Sequence, residues 1–197
     1  MPLTEVVSLD EVKAELNIPS SNTDDDTELS GYIDAATTII EFLCGPVVPA
    51  EYTETHDGGS PVIFLKRRPV LSVATVTEYT PTAYPLTEEP LGGSYTTYGY
   101  RMDAEKGTLL RTSAAIPTRF APGVQNVTVT YTAGRAAVPA NIRGAALELV
   151  RTQWQPQQSG NLPGIDVDNE PGKNVLGYYV PYRVTEMLGP SAQVTVM

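Results

Sequence analysis

The sequence predicts an α+β fold: a helical bundle core of three main helices, an inserted small antiparallel β module, and an extended C-terminal arm. Three observations lead there. Residues 8–45 and 138–154 carry apolar side chains at helical spacing, residues 51–134 are rich in β-branched and aromatic residues between turns, and residues 156–177 are crowded with glycine and proline. The expected organisation is therefore a helical core from residues 1–50 and 135–155, with 51–134 as the β-rich insert. Residues 156–177 follow as a linker and 178–197 as the arm.

The first helix is announced by Ser8-Leu9-Asp10-Glu11, a capping-box sequence in which the serine hydroxyl takes an orphan N–H and Glu11 reaches back. Leu9, Val12 and Leu16 follow at helical spacing, and Pro19 is the expected stop. Asp24-Asp25-Asp26-Thr27 supplies the second start, with negative charge at the positive end of the helix dipole. Leu29, Ile33, Ala36, Ile40 and Leu43 then form one apolar stripe, closed by Cys44 and Gly45-Pro46.

Three segments read as strands: 61–65, 70–76 and 124–131, the last alternating Val127, Val129 and Tyr131 against Thr128 and Thr130. Turns are marked by Asp57-Gly58-Gly59, Leu91-Gly92-Gly93, Lys106-Gly107 and Pro122-Gly123, and the stretch around Tyr95, Tyr98 and Tyr100 fits either a strand or an ordered loop. Pro139 suits the first position of a third helix whose apolar face is Ile142, Ala145, Ala146, Leu149 and Val150, with Pro156 as its expected end. The arm regains apolar and aromatic content in Tyr178, Tyr179, Tyr182, Arg183, Val184, Met187 and Leu188. Such a segment either folds back over the chain's own core or docks on a partner, because Tyr and Arg carry much interface energy.

At 197 residues the chain is long enough to bury a sizeable core unaided, and one cysteine excludes an internal disulfide framework. No apolar run approaches the ~20 residues of a membrane span and no export signal is evident, so a soluble, unexported protein with no membrane contact is expected. The net charge of −10 disfavours a binder of nucleic-acid phosphates. Residues 1–50 hold ten acids against the single base Lys13, so nearly all the imbalance lies there. The acidic helical face of Asp24, Asp25, Asp26, Glu28, Asp34 and Glu41 is either a solvated surface or one that repels nucleic acid or meets a basic partner.

Chemistry is thin. His56 is the only histidine and sits in a turn-like context, which leaves no dyad or His-based metal site to assemble. Cys44, on the apolar stripe with no basic neighbour, reads as a small core residue. Neither Asp24–Asp26 nor Asp166, Asp168 and Glu170 has the spacing of a calcium loop. Lys66-Arg67-Arg68, the only basic cluster, reads as a solvated turn before Pro69. No catalytic residue, metal site or cofactor is expected.

The order of these features carries more than any one of them. The capped helix Ser8–Ile18, the helix Glu28–Phe42, the strand signal Lys66–Val73, the segment Val127–Gly134 and the helix Val138–Val150 follow one another along the chain. In that order, over residues 5–45 and 60–155, the chain resembles the head–tail connector (adaptor) family of tailed bacteriophages. The resemblance implies a structural virion protein of the neck, assembled in the host cytoplasm as a homo-oligomeric, dodecameric ring below the portal protein. It would let DNA pass without specific binding and offer a platform to a stopper or tail-completion protein. It also implies that Tyr178, Tyr179, Tyr182, Arg183, Val184, Met187 and Leu188 dock on the portal, tethered by residues 156–177. The longer middle, residues 80–123, departs from compact members of that family. Another neck or tail-completion protein, a non-viral β-rich binding module and an undetected enzyme remain as alternatives.

Overall fold

A computed structural model describes residues 5–89, 97–159 and 180–189, without the side chains of 156–159. The chain divides into two compact units: among the described residues Gly45–Ala136 forms one, and the flanking segments, Glu5–Cys44 and from Ala137 onward, form the other.

The flanking unit is helical. Helix α1 (Leu9–Glu15) begins with the expected capping box: the Glu11 N–H donates to Ser8 Oγ at 3.3 Å and the Ser8 N–H to Glu11 Oε2 at 2.8 Å. It ends before Pro19 is reached, where Asn17 adopts φ 57° and the Ile18 N–H returns to the Lys13 carbonyl at 2.8 Å. Helix α2 (Asp26–Cys44) buries Leu29, Ile33, Ala36, Ile40 and Cys44, so its stripe finishes on the cysteine while Leu43 is only half-buried. Helix α3 (Ala140–Ser159) sets Ile142, Ala145, Ala146 and Leu149 against α1, α2 and the short helix α4 (Tyr182–Leu188). Each large side chain fully buried in this way contributes about 1.5–3 kcal/mol.

The central unit is one eight-stranded sheet. Its strands are β1 (Ala50–His56), β2 (Val62–Phe64), β3 (Val70–Tyr79), β4 (Ala83–Glu88), β5 (Gly99–Asp103), β6 (Thr108–Ser113), β7 (Ile116–Pro117) and β8 (Val127–Ala133). The order is β1-β8-β3-β4-β5-β6-β2, with β7 on β6; only β4 and β5 run parallel. β8 pairs with β1 from Ala50↔Ala133 to His56↔Val127, and with β3 across two register shifts. Its Val127, Val129, Tyr131 and Ala133 are fully buried, joined by Ile63, Leu65, Val76, Leu109 and Phe120 in one core. The sheet curls until its ends approach: the Lys66 N–H, just past β2, donates to Glu54 Oε2 of β1 at 3.3 Å. Gly134, directly after β8, takes φ 142°, and a Cβ there would lie 2.6 Å from Pro49 Cα; only glycine fits this crossing.

These observations correct the expected fold class. Over the described residues the protein is mixed α+β with an eight-stranded sheet and four helices, not a three-helix bundle core bearing a small β module. Five strands carry weak sequence signals: β1 is charged, β4 contains Pro85, β7 has two residues, β5 does not alternate, and β6 buries Arg111 and Thr112 among its leucines. An extended C-terminal arm is corrected too, since residues 182–188 are helical, with Val184 and Leu188 buried in the helical unit. Nor does α3 stop at Pro156: it continues to Ser159, which a helix can do when it forgoes the bond the proline cannot donate.

Candidate functional site

No group of three or more His, Cys, Asp or Glu side chains that could hold a metal occurs among the described residues. What the protein offers is surfaces, each held by a buried polar anchor.

In the helical unit the anchor is Lys13. Its Nζ donates to the Asn22 carbonyl at 2.7 Å and pairs with Asp26 at 2.5 Å, although its side chain is only 4% exposed. One lysine thereby ties α1, the intervening loop and the first residue of α2 together. Asp26 is thus a structural partner. The remaining acids spread out: Asp24 and Asp25 precede α2, Glu28 and Asp34 are exposed along it, and Glu41 is half-buried. Glu28 accepts a hydrogen bond from Tyr32 Oη at 2.7 Å; burial, then this carboxylate, raises the phenol to about 12.

At the C-terminal end, Asn141 Nδ2 of α3 donates to the Met187 carbonyl of α4 at 3.0 Å, and Arg183 lies 3.9 Å from Glu148. Tyr182 is 71% exposed, while Val184 and Leu188 are buried. Tyr178 and Tyr179 lie outside the described residues, as does the linker stretch 160–177.

Two polar clusters organise the sheet unit. Arg111 and Glu78, both almost wholly buried, meet at 2.9 Å through Nε and Oε1 and at 3.2 Å through Nη2 and Oε2. Arg111 Nη1 also donates to the carbonyls of Thr97, Gly99 and Thr112, and Glu78 accepts the Ala121 N–H at 3.2 Å. The pair therefore fixes the entry to β5 and the segment before Pro122. The second cluster closes the gap between β1 and β2. Tyr131 Oη donates to Glu54 Oε1 at 2.5 Å and accepts the Arg67 N–H at 3.1 Å, and His56 Nε2 lies 3.1 Å from Glu54 Oε2. Burial, and then the bond to Glu54, holds the Tyr131 phenol well above its ordinary pKa. His56 is the last residue of β1 and largely buried, not a solvated turn residue. The basic loop after β2 is exposed, with the Arg67 guanidinium 5.7 Å from the centre of the Tyr52 ring.

Sequence reasoning missed Lys13, Glu78, Arg111 and Glu54. Lys13 had a signal: it extends the Leu9, Val12, Leu16 stripe as the only base in the first 50 residues. Glu78 and Arg111 had a fainter one, each two residues from a buried Val76 or Leu109 on the same strand face.

A family model described as head completion protein matches residues 5–161. The chain belongs to the head completion protein family. Membership agrees with the head–tail connector resemblance of residues 5–45 and 60–155, and places the protein among structural components of a virion neck. No curated protein matches the chain in sequence. Its fold is similar to that of a chain in the virion of the native gene transfer agent particle, with 17% identity and a TM-score of 0.60. Similar chains occur in the neck of that native particle computed with C12 symmetry (17%, 0.57) and in the neck of the empty particle computed with C6 symmetry (18%, 0.56). In all three, the alignment covers 100% of this chain and 98% of the other.

Proposed function

We propose that the protein is a head–tail connector that assembles as a twelve-subunit ring under the portal and leaves a passage for DNA. The match to the head completion family over residues 5–161 carries this reading. Similarity in fold to a neck computed with C12 symmetry supports the ring. The charge distribution supports the passage, since a wall near −9 over its first 50 residues repels phosphates and lets DNA slide. Exposed Tyr182 and Arg183 of α4, with Tyr178, Tyr179 and Met187, are the proposed portal contacts, and Val184 and Leu188 act by seating α4 on its own unit. The opposite rim of the ring receives the stopper or tail-completion protein.

Electron microscopy of portal-bearing, tailless heads mixed with the purified protein tests this. A twelvefold ring of added density below the portal is expected, with Arg183→Glu lowering occupancy. Heads whose portal vertex is never decorated would overturn the assignment.

A further inference from the structure

Resting on the connector reading, a specific subunit contact can be derived from two exposed faces of opposite charge. On α2 the residues Glu28, Gly31, Ala35, Thr38 and Phe42 recur every three or four positions and so share one face. Phe42 is 88% exposed, a side chain at Gly31 would meet nothing within 4 Å, and Asp34 flanks the stripe. This is a shallow track with an aromatic at one end and carboxylates along it. No lysine or arginine occurs between Lys13 and Lys66, so nothing on α2 neutralises that face.

The complementary face lies in the sheet unit. Phe64 ends β2, the terminal strand of the sheet, and is 69% exposed. Lys66, Arg67 and Arg68 follow it at once. Lys106 belongs to the same tip, because the Leu65 N–H donates to the Gly107 carbonyl at 2.8 Å and Arg68 packs against Gly107. The Arg67 guanidinium, poised over Tyr52, keeps its planar donors for a carboxylate.

We propose that these two faces meet between neighbouring copies of the chain: the α2 track of one subunit receives the Phe64 and Lys66–Arg68 tip of the next. Charge complementarity points to a second copy over DNA, since a chain of net charge −10 is repelled as a whole by a phosphate polymer. The faces are different and each repels its own kind, which disfavours a two-fold dimer. A contact of that type runs head to tail and closes into a ring when the rotation permits. Aromatic anchors flanked by charge fit the usual division of labour, with the ring face giving affinity and the charges register and partner choice.

The test is charge exchange in the full-length protein, read as subunits bound per portal-bearing head and as ring content by mass photometry. Lys66→Glu with Arg67→Glu, or Glu28→Lys with Asp34→Lys, should each lower ring occupancy about tenfold or more at fixed concentration. Mixing the two variants should restore occupancy, because in a ring that alternates them every junction pairs either two wild-type faces or two reversed faces. Combining all four substitutions in one chain should restore it at every junction and also shows that the variants fold. Wild-type decoration left unchanged by either reversal would overturn the contact while the connector assignment stands. So would loss of duplex DNA retention in the basic-tip variant with ring content unchanged, which would reassign the tip to DNA. Wild-type protein that never decorates heads would overturn both.

Discussion

The helical and sheet units solve the same problem, holding a polar anchor inside an apolar core, in opposite ways. In the helical unit a single cation, Lys13, reaches a carbonyl nine residues on and a carboxylate thirteen residues on, so its network is local in sequence. In the sheet unit Arg111 bonds Glu78 from a distance of 33 residues, and Tyr131 bonds Glu54 from 77. Local anchoring lets the helical unit carry almost all the net charge on its outer faces without stressing its core. Non-local anchoring makes the sheet unit depend on a few buried contacts that join distant strands. The two units should therefore fail differently.

The sharpest break is expected in the sheet. Arg111→Ala leaves Glu78 as a buried charge with no counter-ion, which costs about 3–5 kcal/mol. Urea denaturation measures the loss. Hydrogen exchange should place its increase at 76–79, 97–113 and 118–121 and leave α2 unchanged. A double Arg111→Leu, Glu78→Leu variant should recover much of the loss, because no unpaired charge remains. Exchange that rises equally in α2 would refute the separation between the units.

A smaller effect is expected in the helical unit. Lys13→Met keeps the stem packed in the core but removes the donor to the Asn22 carbonyl and the partner of Asp26. The cost is about 1–3 kcal/mol, smaller than in the sheet because Asp26 is partly solvated and recovers water. Its exchange signature should be confined to residues 16–29. If Lys13→Met instead costs more than Arg111→Ala, sequence locality is not what sets the sensitivity.

The same contrast decides what could be read from the chain itself. α2 was legible because Leu29, Ile33, Ala36 and Ile40 report a 3.6-residue period that depends on no other segment. β8 was legible because it is central, with valines facing in and threonines out. β1 and β4 to β7 were not: Glu54 faces a tyrosine from β8, Arg111 of β6 sits inward where an apolar residue is expected, and Pro85 interrupts β4. β1 pairs with β8, far along the chain, whereas β4 to β7 pair with near neighbours but lack the apolar alternation that a local window reads. That is why the sequence predicts only a small β insert. The candidate surfaces divide likewise: the acidic residues and Tyr182 and Arg183 are visible as composition, whereas Phe42 and Phe64 stand out only through their exposure in the fold.

The finest prediction concerns the cap of α1, which the sequence specified outright. Glu11 is held below its ordinary value of 4.5, chiefly by the backbone N–H of Ser8, against the opposing effect of burial, and further by the Ser8 hydroxyl and Arg143. A carboxylate with a depressed folded pKa adds stability that is present above its unfolded value. That stability disappears as the pH falls through the lower folded one. The cap should therefore hold at neutral pH and weaken below 4.5. Ser8→Ala removes the hydroxyl and should cost about 1 kcal/mol at neutral pH. Glu11→Gln should cost less at neutral pH, since an amide oxygen still reaches the Ser8 N–H, and its deficit relative to wild type should vanish on acidification. Denaturation of the two variants and the wild type at pH 7 and at pH 3 reads both effects. A Glu11→Gln deficit that persists undiminished at low pH would show that the carboxylate's charge is not what stabilises the start of α1.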